Sequence, residues 1–330
     1  LALQVQEQVP LRVGNLSKAA RGYALQAAVA AAAVKAKPVA MQREMSVEQG
    51  FRVVVSNCLA QMQDNEAGVM RGTDPETIHQ MRVGMRRLRS ALHLFAPWIG
   101  FPPALQQELA WLGGELGAAR DADVLADSTF AKVIEACPRE TDLLRLKQSA
   151  SAMAAEKRMQ AAAAVASVRY SRLMLGLVGW LEASRWHESL DETALNALAE
   201  PLDKRAALIL GHCHEKLIKS GKRLAHGTPE ERHRVRIAAK KARYATEFFQ
   251  SLHPARRVKR YLGCLAALQD ALGWLNDAAV ADRLLHDIET SRPELAASAS
   301  FIRGYLCSAT RQDLLGLGRL WKQFSSMESP

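Results

Sequence analysis

The residues best suited to chemistry in this chain are a histidine and four arginines, His79, Arg82, Arg86, Arg87 and Arg89, in the stretch PETIHQMRVGMRRLRSALHLF at 75–95. Arginine is a permanent cation whose planar fork can bridge two oxygens, so a file of arginines suits reversible capture of a multivalent anion. At about 100° per residue, Arg82, Arg86, Arg89 and His93 fall within roughly 80° of His79, forming a stripe about 21 Å long at about 1.5 Å per residue. Ile78, Met81, Met85, Leu88, Leu92 and Phe95 gather on a neighbouring face. Burying that face holds the cations toward something else. No Ser/His/Asp or Cys/His arrangement and no phosphate-loop motif accompanies the stripe, so no catalytic residue and no cofactor site is expected.

The stripe recurs. PEERHRVRIAAKKARYATEFF at 229–249 matches it with an offset of 154 and no gap: His79 pairs with His233, Arg82 with Arg236, Arg86 and Arg87 with Lys240 and Lys241, and Arg89 with Arg243. A merely solvated face has no reason to keep this register and would mix in acidic partners. The second copy is also flanked by charge. Residues 212–260 hold 14 Lys and Arg against 4 Glu, a local +10 equal to the formal charge of the whole chain. Its sources are Lys216, Lys219, Lys222 and Arg223 before the stripe, the stripe itself, and Arg256, Arg257, Lys259 and Arg260 after it. Of the last four, Arg260 is the candidate contact. The corresponding first-half segment, NCLAQMQDNEAG, has no cation. An asymmetric anion-binding surface follows, whose field steers polyanions toward the second half.

His79 and His233 are candidate phosphate donors, with a hydrogen-bonded histidine at a helix start as the alternative. Metal ligation is disfavoured, because their neighbours at helical spacing are arginines that would repel a cation. His93 has no histidine counterpart, since Glu247 stands at its position in the second copy, and His212 and His214 lie on opposite helix faces. Asp121 and Asp123, in ARDAD, resemble an acid/base or magnesium pair, but here Leu116, Gly117 and Asp121 match Leu272, Gly273 and Asp277, an offset of 156, and Asp123 becomes Ala279 in the second copy. A helix-start cap or an ion pair with arginine is the better expectation.

The elements that must carry these residues read as helix almost throughout, since apolar residues recur at three and four and strand-like alternation is missing. Asp74 and Pro75 mark the start of the first striped helix, Thr228 and Pro229 that of the second. A helix is expected from 46 to the RGTD loop, a third after Pro103, and a fourth after a break at GGELGAARDAD. Gly117 and Gly273 are placed at such breaks. Residues 1–9 read as a possible helix, RGYALQAAVAAAAVK at 21–35 as either a strand leading out or an alanine-rich segment, and Lys37 with Pro38 as a linker. A repeat of about 155 residues is too long for a solenoid unit. The fold class is therefore all-α, with two homologous four-helix bundles related by a pseudo-twofold axis and a short N-terminal extension. The domains divide as 1–40, 41–195 and 196–330.

Of the 330 residues 48% are hydrophobic, enough for a full core. The five cysteines are scattered and never spaced as CxxC, which argues against a disulfide framework or a zinc site and fits a reducing compartment. No run of eighteen uncharged apolar residues occurs, so no membrane span is expected. The chain opens on LALQVQEQ without an initiator Met, as part of a longer protein would.

HQMRVGMRRLR in the first half, HRVRIAAKKARY in the second and LQDALGWLND after it resemble the CHAD family, the conserved histidine α-helical domain, over roughly residues 46–324. The resemblance implies paired four-helix bundles that bind inorganic polyphosphate through a basic surface and a pore between the halves. It also implies cytoplasmic placement at polyphosphate granules. PLRVGNLSKAARGYAL resembles the end of a CYTH domain, but without that domain's alternating glutamates no triphosphatase activity carries over. Two other classes compete. A nucleic-acid binder would also use a basic groove, but aromatics are only 6% of the chain and Tyr244 is the sole stacking residue on a stripe. A helical structural adaptor would not need the doubled register.

Overall fold

The computed structural model describes residues 2–6, 8–9, 11–14, 17–19, 22–23, 32–137, 143–224 and 226–330. Among them the chain is helical, and its only β pairing is an isolated bridge between Ser46 and Pro201. The all-α expectation holds. In chain order the helices are α1 (Ala2–Gln6), α2 (Val47–Asp64), α3 (Glu66–Arg71), α4 (Pro75–Phe95), α5 (Pro103–Asp123), α6 (Phe130–Ala136), α7 (Leu143–Ala166), α8 (Val168–Glu182), α9 (Glu192–Ala199), α10 (Leu202–Gly221), α11 (Pro229–Phe249), α12 (Ala255–Ser291) and α13 (Ala296–Ser325). The alanine-rich piece lies mostly outside the described residues.

Two compact units form. One comprises Leu1–Pro38, Met45–Arg120 and Ala155–Pro201; the other comprises Val39–Glu44, Asp121–Ala154 and Leu202–Pro330. Residues 121–154, which belong to the first sequence repeat, thus pack within the second unit.

In the first unit α4 is the central element. The Asp74 side chain accepts from the Glu76 amide and Pro75 occupies the first turn, as the sequence signals. Ile78, Met81, Leu88 and Phe95 are wholly buried, and Met85 nearly so, against Phe51, Val54, Val55 and Met62 of α2. Gly84 permits this approach, since a Cβ there would stand 3.3 Å from the Cys58 carbonyl oxygen. Phe51 meets Phe95 and Trp186 edge-on at 5.2 and 5.3 Å. The segment at 32–38 is pinned to the end of α2, where Asn65 exchanges two 2.9 Å hydrogen bonds with the Val34 backbone. Farther upstream, Arg12 donates to the Val165 carbonyl at 3.1 Å, and Tyr170 donates to Glu66 at 2.7 Å.

In the second unit α11 is the counterpart. Thr228 and Glu231 form a reciprocal capping box, and Val235, Ala238, Ala239, Ala242, Ala245, Phe248 and Phe249 make the buried face. The alanines let α10 and α12 pack close, and α12 runs against α13. A second apolar cluster joins Leu125, Phe130 and Leu146 to Leu285, Ile288 and Ile302.

The expected helix break at GGELGAARDAD is not there. α5 runs unbroken through Gly113, Gly114 and Gly117, and the irregularity comes later as a π-turn at Val124–Thr129. Gly273 likewise sits inside the 37-residue α12. Asp121 and Asp123 therefore close a helix rather than cap the start of one. No single described helix is long and apolar enough to cross a membrane; α7 and α8 reach that composition together but are bent by 55°.

Candidate functional site

Each unit carries its own cation-bearing face. In the first, His79, Arg82 and Arg86 are half-buried on α4 and Arg89 is exposed one turn on. Arg82 Nη1 donates to the Gly113 carbonyl of α5 at 3.4 Å. Burial pushes His79 down to about 4, and the cations of Arg120, Arg86 and Arg82 push the same way against the opposing charge of Glu76. The imidazole is therefore neutral at pH 7, with one N–H to donate and one nitrogen to accept, inside a group of three guanidinium cations.

Arg120, on α5, is a member of this group that the sequence reading missed. Its equivalent in the second repeat is Asn276, so the matched register offered no signal for it. Arg87 is in the register but not on the face. It is 4% exposed, and its guanidinium donates to Gln61 at 3.0 Å and Asn57 at 2.9 Å of α2. Its role in this geometry is to tie two helices together.

The second unit places its cations differently. His233 is exposed, while Arg236, Lys240, Lys241 and Arg243 are half-buried on α11. Burial, and next the Lys216 cation on α10, lower the Lys241 pKa. Arg243 donates to Glu247 at 2.7 Å and to Gln269 at 3.3 Å, so its charge is already partly answered. Lys216 and Lys219 are exposed on α10, Lys222 and Arg223 on the turn just past it, and Arg260 on α12. His214 lies apart, its Nδ1 3.1 Å from the Tyr261 hydroxyl and its ring against Phe324.

A cavity of about 780 Å³ opens beside the first two turns of α11, between Arg232, His233 and Arg236 on one wall and Leu272, Asn276 and Leu306 on the others. On its rim Arg303 pairs with Asp282 at 2.7 Å and Glu289 at 3.0 Å. Among the described residues, no group of three or more His, Cys, Asp or Glu side chains is placed to hold a metal ion.

Fold and face together define a helical protein with a duplicated, cation-bearing helix. The CHAD domain family model matches residues 53–286, and the chain belongs to that family. It is 38% identical to the crystal structure of the CHAD domain from the plant Ricinus communis, with a TM-score of 0.80, covering 91% of this chain and 98% of that one. PptA from Streptomyces chartreusis shares the fold alone, at 15% identity and a TM-score of 0.55, covering 86% of this chain and 100% of that one. Comparison with curated proteins gave no match.

Proposed function

We propose that this CHAD-family chain binds inorganic polyphosphate along its cation-bearing helices, without catalysis, and thereby places itself at polyphosphate granules in the cytoplasm. The observation that carries the reading is the matched register of His79 with His233, Arg82 with Arg236 and Arg86 with Lys240 on two helices that each bury an apolar face. Polyphosphate is a flexible file of non-bridging oxygens with no base edges. A file of charge-assisted donors about one helical turn apart matches it without sequence readout. His79, Arg82, Arg86, Arg89 and Arg120 provide the contacts in the first unit. His233, Arg236, Lys240 and Lys241 provide them in the second, with Arg243 a weaker contributor because Glu247 and Gln269 already hold it. Lys216, Lys219, Lys222, Arg223 and Arg260, all exposed, supply the attracting field.

Nucleic acid fits these faces less well. Tyr244, the aromatic on the second stripe, is only 8% exposed and offers no platform for a base. Competition between long polyphosphate, tripolyphosphate and duplex DNA at two salt concentrations tests the reading. Polyphosphate should win at equal phosphate concentration, and DNA displacing it would favour nucleic acid. A fluorescent fusion that gathers on polyphosphate granules, and disperses when the stripe arginines are reversed, tests the placement.

A further inference from the structure

Gly113 and Gly117 lie one turn apart on α5 and bare a strip of that helix surface toward α4. A Cβ at Gly117 would stand 2.5 Å from Arg82 Nη1; one at Gly113 would stand 3.2 Å from Met85 Cε and 3.6 Å from Arg89 Nη1. The second repeat lacks this seat. Gly113 is replaced by Gln269, whose side chain fills the space by donating to the Ala239 carbonyl at 2.8 Å and accepting from Arg243. A Cβ at Gly273, the equivalent of Gly117, would meet nothing within 4 Å.

We propose that Gly117 is a positioning residue for anion binding: the bare helix surface it leaves holds the Arg82 guanidinium in one place, ready for phosphate oxygens. The inference rests on the polyphosphate reading. A long arginine side chain ordered before the ligand arrives loses less freedom on binding, so the seat contributes affinity without adding charge. The atom that a Cβ would strike is the far end of a flexible side chain rather than backbone. A methyl group at Gly117 therefore moves Arg82 and spares the helix, for which alanine is the better former.

The test is isothermal titration with long-chain polyphosphate across a salt series. Wild-type protein must bind first; failure there overturns the polyphosphate reading and this inference with it. Given binding, Gly117→Ala should weaken affinity by about three- to tenfold, the scale of one charged hydrogen bond in a polymer that can shift register. The slope of log affinity against log salt should stay unchanged, because no charge is removed. In an Arg82→Ala background Gly117→Ala should cost nothing further, since the two act through one group. Gly273→Ala should bind as wild type. Arg82→Lys keeps the charge but not the planar head, and should show the same loss at constant slope, which decides the matter even if Gly117→Ala fails to fold. Wild-type affinity in Gly117→Ala or Arg82→Lys, or an equal Gly117→Ala loss with Arg82 absent, would overturn the inference while leaving polyphosphate binding in place.

Discussion

Arg87 and His79 show how much a single side chain's surroundings decide. Arg87 shares the register of the stripe, yet its neighbours on that side of α4, Gln80, Gly84, Ala91 and Leu94, are all buried. Polar or small for the most part, they do not spell a packing face in sequence, although α2 packs there. Arg87→Ala should leave the buried Gln61 Oε1 without its charged donor and destabilise the fold by about 1–3 kcal/mol, read from urea midpoints. Polyphosphate affinity per folded molecule should barely change.

His79 gives a pH signature. Its pKa in the fold is about 4 against an ordinary 6.5, so between these values the unfolded chain binds the extra proton. Stability therefore rises with pH through this window, and is lost as pH falls from about 6.5 toward 4. Urea midpoints at pH 7 and pH 4.5 should differ less in His79→Gln than in wild type. A nearby polyanion stabilises imidazolium, so polyphosphate binding should take up protons at acidic pH, seen as a buffer-dependent heat of binding.

At the scale of the element, the striped helices were largely legible. Their starts carry a capping side chain followed by proline, and their apolar residues recur at helical spacing, so both the span and the outward face of α4 followed from the chain itself. The following helix was not legible for a physical reason. Glycines in GGELGAARDAD signal a break when read alone, but Gly113 and Gly117 are there because Met85, Arg82 and Arg89 of another helix approach them. Such a demand comes from a partner distant in sequence. Reversal to glutamate of Arg82 with Arg86, or of Arg236 with Lys240, should lower polyphosphate affinity at least tenfold, since each pair loses two contacts and gains two repulsions. Circular dichroism should remain helical, because none of the four is among the fully buried residues of its helix.

For the whole molecule, charge distribution matters more than net charge. The repeat, the helical class and the family were legible because a doubled motif leaves its own internal alignment. The packing of residues 121–154 within the second unit was not, since the apolar cluster that draws them there joins Leu125, Phe130 and Leu146 to residues over a hundred positions away. Exposed Lys219 and Arg223 contribute chiefly through the field. Replacing both with alanine should reduce the slope of log affinity against log salt by about 1 to 2 and leave thermal stability unchanged.

The most direct measurement is a titration of wild-type protein and the two double charge reversals with long polyphosphate, duplex DNA competing, at low and physiological salt. Wild type should prefer polyphosphate, both reversals should stay folded, and each should lose affinity. Two folded reversals that bind polyphosphate as tightly as wild type would contradict polyphosphate binding along these helices, leaving the repeated cations as a solvated face.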